Sequence, residues 1–282
     1  MLQKKRSIFV FALVLLLAIP AGVAAADITL GYVEWDCAIS QTHIAAAVLE
    51  EYFDLEVELM SVDVGILWAG LSQGDLDAFL AAWLPVTHGF YWEEYGKDLI
   101  NVGANFEGGK IGLVVPQYVD IDSITELNDN SRKFRNMIYG IDPGAGLMAA
   151  TDAALDIYGL NFNVMDSSDA AMVIQLGQAI RNDEWIVVTG WVPHWKFDVW
   201  DLKFLEDPHN VYGGSENIQT VLRKGFFADF DPAVSSFMAR YKLTQAQLHE
   251  MMNIVREGSG SELELARQWV LDNEDVVQGW ID

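Results

Sequence analysis

The spacing of apolar and polar positions divides much of the chain into two similar series. Residues 27–33 read as a strand, with Ile28, Leu30 and Tyr32 at every second position. Residues 39–53 carry Ile44, Val48 and Leu49 along one helical face. Period two returns over 55–60. Asp63 then offers a cap for a helix holding Leu67, Trp68 and Leu71, which Gly74-Asp75 ends. The apolar run 78–82 reads as a buried strand closing at Trp83-Leu84-Pro85-Val86-Thr87-His88. After a further strand at 111–115 the order repeats. A strand at 137–141, the loop Asp142-Pro143-Gly144-Ala145-Gly146, a helix at 147–158, a strand at 161–165 and a helix at 168–181 follow. A strand at 184–188 then enters Thr189-Gly190-Trp191-Val192-Pro193-His194-Trp195.

The repeat is regular in length. Gly31 to Trp83 spans 52 residues and Gly140 to Trp191 spans 51. Strands alternating with helices imply parallel sheets, so the pattern predicts an α/β chain with two parallel-sheet lobes joined by a hinge. Residues 27–114 are expected to form lobe I and 115–213 lobe II. Residues 214–282 would return to lobe I, with a strand near 219–222, a helix opened by Asp231-Pro232, and two amphipathic helices at 245–256 and 262–273. Ligands of such sheets sit beyond the carboxyl ends of the strands. The cleft would therefore collect Trp35, Trp83, the glycine loop and Trp191.

The first residues stand outside this pattern. Lys4, Lys5 and Arg6 precede an apolar stretch at 8–19, and Ala24-Ala25-Ala26 offers a small-residue cleavage site. Residues 1–26 thus read as a signal peptide released near Ala26. Cys37 lies too far beyond that site to carry a lipid anchor. In a double-membraned bacterium the mature chain would be periplasmic. Its single cysteine rules out an internal disulfide.

Charge narrows the ligand. The formal net charge is −24, and removing the basic leader makes the remainder more acidic still. Nucleic acid is excluded as a partner, because its phosphates would be repelled. A cation or zwitterion is permitted. Three strand-end tryptophans, Trp35, Trp83 and Trp191, suit a quaternary ammonium, which has no N–H to donate and binds the face of an indole at roughly 0.5–2 kcal/mol per contact. The anionic end of a zwitterion would meet the backbone N–H groups of Gly146 and Leu147 at a helix start, with His88 as a further donor. Trp68 and Trp269 fall inside helices and read as packing.

Catalytic readings find little support. Cys37 and His43 lie six apart with no third group to orient them. There is no Gly-x-Ser-x-Gly elbow, P-loop or His-Glu-x-x-His sequence. The remaining histidines lack metal-ligand spacing, and no cofactor is expected. The chain reads as a binding protein, not an enzyme.

Several stretches together resemble the substrate-binding proteins of ABC importers for glycine betaine and related compatible solutes. They are Gly31-Tyr32-Val33-Glu34-Trp35-Asp36, Ala82-Trp83-Leu84-Pro85-Val86-Thr87-His88, Gly112-Leu113-Val114-Val115-Pro116, Gly140-Ile141-Asp142-Pro143-Gly144-Ala145-Gly146-Leu147-Met148 and Thr189-Gly190-Trp191-Val192-Pro193-His194-Trp195. The resemblance implies a bilobed periplasmic-binding-protein fold of type II. It implies a cage of Trp35, Trp83 and Trp191, with His88, Gly146 and Leu147 at the carboxylate. It implies a monomeric receptor that delivers ligand to a membrane permease with a separate ATPase. Choline, proline betaine, trimethylamine N-oxide or a sulfonium analogue stand as other ligands. A periplasmic hydrolase of a choline derivative stands as the reading outside this class.

Overall fold

The computed structural model describes residues 26–282. The expected signal peptide, Ala26 apart, lies outside the described residues. The first series is β1 (Ile28–Tyr32), α1 (Asp36–Phe53), β2 (Val57–Ser61), α2 (Val64–Gln73) and β3 (Ala78–Leu84). Then come α3 (Gly89–Tyr95) and the long β4 (Leu99–Pro116). The second series is β5 (Met137–Tyr139), α4 (Gly146–Tyr158), β6 (Asn163–Met165), α5 (Asp169–Arg181) and β7 (Val187–Val192). The chain continues through α6 (Lys196–Val199), β8 (Leu202–Phe204), β9 (Glu216–Arg223), α7 (Phe226–Asp229) and α8 (Pro232–Arg240). It ends with α9 (Gln245–Glu257), α10 (Glu262–Asp272) and α11 (Glu274–Ile281).

Local chemistry sets many of these boundaries. Helix α2 stops at Gly74, whose φ of 86° lies in the left-handed region that a residue without Cβ enters freely. Asp231 caps α8 by accepting from Ala233 N, with Pro232 in the first turn. Thr244 with Gln247, and Ser261 with Glu264, form capping boxes at α9 and α10. Strand β3 is buried at every position, which is why it reads as a continuous apolar run without alternation.

The strand order is β2-β1-β3-β9-β4-β7-β5-β6, with β8 beside β4. The two series use the same internal arrangement. β1 pairs in parallel with β2 and β3, as β5 does with β6 and β7. The sheets are mixed, however, and not the purely parallel sheets expected. β9 runs antiparallel to β3 and β4, and β4 runs antiparallel to β7 and β8.

Strand β4 joins the two groups of strands. Leu99 to Gly109 pairs with β9, and Lys110 to Val114 pairs with β7. The expected strand at 111–115 is thus only the far end of an 18-residue strand. Helices α9 and α10 pack on α1, and α8 packs on α11 and β4. Tyr241 Oη donates to the Gln41 carbonyl at 2.8 Å, tying the end of α8 to α1. Among the described residues no helix is long and apolar enough to cross a membrane.

Candidate ligand-binding site

Three strand ends bring three tryptophans to one cavity. Trp35 follows β1, Trp83 lies in β3 and Trp191 in β7, and all three are buried. With Thr87, Ile111, Ile141, Ala145, Gly146 and Leu147 they line one small cavity. The rings of Trp35 and Trp191 lie 6.4 Å apart, centroid to centroid, inclined at 56°. Trp35 Nε1 donates to Asp142 Oδ2 at 3.1 Å, which fixes the plane of this indole against the opposite series. Trp83 rests over Gly109 on β4. A Cβ there would come within 2.8 Å of the ring, so a glycine gives this indole its seat.

The other wall is the start of α4. Gly146 and Leu147 are its first two residues, and Ala145 before them has no side chain able to cap. Neither N–H has a partner among the described residues. Two orphan donors therefore lie at the positive end of a 13-residue helix, an arrangement suited to an anion. Gly146 also meets the opposite series: a Cβ on it would lie 1.9 Å from the carbonyl oxygen of Thr87.

His88 is buried and is not among the lining residues. The backbone N–H of Trp83 donates to its Nδ1 at 3.0 Å, so the ring proton resides on Nε2. That atom is buried and has no hydrogen-bond partner. Burial lowers the histidine's pKa to about 3, leaving it neutral. Its ring lies 5.9 Å from that of Trp35. The turn itself is held by buried Glu216, which accepts from Val86 N at 3.1 Å, from Thr87 N at 3.0 Å and from the Thr87 hydroxyl. The Leu84–Pro85 and Val192–Pro193 peptide bonds are both cis.

The turn after β7 mirrors this arrangement. Lys196 N donates to His194 Nδ1 at 3.1 Å, and His194 Nε2 donates to Asp169 Oδ1 at 3.0 Å. Asp36 reaches across from the start of α1. It accepts from Trp195 Nε1 and lies 3.5 Å from His194 Nε2. Tyr91 Oη donates to the Gly144 carbonyl at 3.0 Å. Burial, reinforced by the Asp169 carboxylate, pushes Asp36 up to about 7. Burial takes His194 down to about 4 and Lys196 down to about 8, where Asp169 and Asp36 oppose the fall. Asp36, Asp169 and His194 place donor atoms within 4.8 Å of one another, but the buried Lys196 ammonium already supplies the positive charge facing these carboxylates.

The structure therefore gathers Trp35, Trp83, Trp191, Gly146 and Leu147 on one cavity and sets His88 beside Trp35, outside the lining. Sequence reasoning missed Thr87, Ile111 and Ile141 as lining residues, and Asp142, Glu216, Asp36, Asp169 and Lys196 as their supports. The one available signal was the likeness of the two Trp-x-Pro turns, which points to His194 as the counterpart of His88.

Two series of strands facing each other across an aromatic cavity with a helix-end anion site define a solute-binding protein. A family model described as the substrate-binding domain of ABC-type glycine betaine transport systems matches residues 26–272, and the chain belongs to that family. It is 42% identical over 157 residues to the glycine betaine/carnitine transport binding protein GbuC of Listeria monocytogenes. That match covers 55% of this chain and about half, 52%, of the relative. The structure of lactococcal OpuAC, closed and complexed with glycine betaine, superposes with a TM-score of 0.84 at 34% identity, covering 90% of this chain and 99% of that one. The glycine betaine/L-proline-binding protein ProX of Borrelia burgdorferi gives 0.87 at 33% identity, covering 90% and 96%.

Proposed function

We propose that this protein is an exported receptor that captures glycine betaine between two lobes and presents it to a membrane permease driven by a separate ATPase. The observation that carries this reading is the pairing, on one small cavity, of three indoles with two unpartnered N–H groups at the start of α4. The indoles suit a methylated ammonium, which cannot use a hydrogen-bond acceptor. The orphan amides suit a carboxylate. His88 Nε2–H, buried and unpartnered beside Trp35, adds a donor that a carboxylate could engage.

The lobes are divided where β4 changes partner between Gly109 and Lys110. Trp35, Trp83 and His88 then belong to one lobe, and Trp191, Gly146 and Leu147 to the other. A ligand touching both favours the closed form by contacts the open form lacks. Residues 1–26 act as an export leader, placing the receptor outside the cytoplasmic membrane. An anion site beside the cage favours a zwitterion over choline, which has no carboxylate.

Titration calorimetry of the purified protein tests the reading. Glycine betaine should bind and change tryptophan fluorescence, and glycine should do neither. Absence of heat and of any fluorescence change with betaine would overturn it.

A further inference from the structure

Lys196 stands directly behind the cage. Its side chain is wholly buried, and its Nζ lies 4.0 Å from the ring centroid of Trp191. Trp191 lines the cavity and Lys196 does not, so the ammonium occupies the face of the indole turned away from it. Nζ has no hydrogen-bond partner. A buried ammonium without hydrogen bonds costs stability, and an alkyl chain would fill the same space at less cost. Packing alone does not account for the charge, which also answers the carboxylates of Asp36 and Asp169.

The charge has a consequence for binding. A cation on one face of an indole draws on the electron density that a second cation would use on the other face. It also repels that second cation across the ring. Asp36, Asp169, Cys37 and His194 face Lys196 from the other side; the two carboxylates offset its charge in part, and the thiol and imidazole are neutral near pH 7. A zwitterion carries its own anion into the positive field that Lys196 and the start of α4 share. A ligand with net positive charge carries none.

We propose that Lys196 is a specificity-determining residue, which charges the rear face of Trp191 and so disfavours net cations such as choline relative to zwitterions such as glycine betaine. This rests on the receptor reading above.

The test compares wild type, Lys196→Met and Lys196→Arg. Glycine betaine is titrated directly at pH 7, and choline is measured by displacement of bound betaine. Wild type should prefer betaine. Lys196→Met should reduce the betaine-to-choline affinity ratio by about tenfold, chiefly by strengthening choline. Lys196→Arg should keep the wild-type ratio. Raising the pH from 7 to 9.5 discharges Lys196 and also completes the ionisation of Asp36, while Cys37 and His194 stay neutral. Wild type should then approach the Lys196→Met ratio measured at the same pH, and Lys196→Met, which retains only the Asp36 step, should change less than wild type. A ratio unchanged by Lys196→Met and by pH would overturn the proposal, since a packing role would weaken both ligands alike. Failure of wild type to bind betaine would instead overturn the receptor reading on which the proposal stands.

Discussion

Single atoms decide whether this cavity works. Trp191 offers one face to the cavity and the other to Lys196, so its indole has no neighbour that could replace it. Trp191→Ala should weaken glycine betaine by about 1–2 kcal/mol, read by calorimetry, while Trp269→Phe, far from the cavity against Trp280, should leave the affinity unchanged. Gly146 is as strict. A methyl group there meets the Thr87 carbonyl at 1.9 Å, and neither partner is a flexible side chain. Gly146→Ala should lower affinity by the 1–3 kcal/mol typical of overpacking, with little change in the melting of the ligand-free protein, because the proposed closure is what brings the two together. Equal losses in affinity and melting would count against that account.

The buried histidines make a prediction of their own. His88 and His194 are held neutral, at about 3 and about 4. The unfolded chain takes up a proton at each near pH 6.5. Their stabilising contribution is therefore complete above pH 6.5 and is lost as the pH falls below it. One such histidine costs about 2 kcal/mol by pH 5. Asp36, raised to about 7, works in the opposite direction because the folded protein accepts its proton first. The contribution of His88 is isolated by comparing His88→Gln with wild type in thermal melts at pH 7.5 and pH 5. The variant should lose about 2 kcal/mol less over that interval, and parallel losses would refute the assignment.

Among the elements, those built from local chemistry were legible in the sequence. β3 announced itself as an apolar run, α2 ended at a glycine with positive φ, and the two Trp-x-Pro turns matched each other. The start of α4 was legible because a glycine loop before a helix is a local pattern. β4 was recognised only at its far end. Its first part does keep a period of two, with Ile100, Val102, Ala104 and Phe106 between Asn101, Gly103, Asn105 and Glu107, a signal that the expected strand at 111–115 leaves out, and its pairing with β9 shifts register repeatedly. The supports of the site were hidden for a different reason. Glu216 holds a turn 129 residues earlier, and Asp36 meets Trp195 across 159 residues. No spacing within a segment can signal such partners. His88 was recognised as special, but the orientation of its ring depends on the Trp83 N–H that holds its Nδ1.

At the scale of the whole molecule, contacts between the two series gather around the cavity, among them Trp35 with Asp142, Tyr91 with Gly144, Thr87 against Gly146, and Asp36 with Trp195, Asp169 and His194. The lining tryptophans are themselves buried, so a cation held among them would meet the indoles in a low-dielectric setting. β4 has a further consequence. One strand runs through both sheets, and it changes partner next to Gly108, whose φ is 89° and where the register with β9 shifts. The proposed closure would turn about this point, and one distance would follow it. Fluorophores on the outermost strands, β2 and β6 at opposite ends of the order, would read that distance from outside without touching the cavity. The scaffold is in that sense already an optical gauge for its solute.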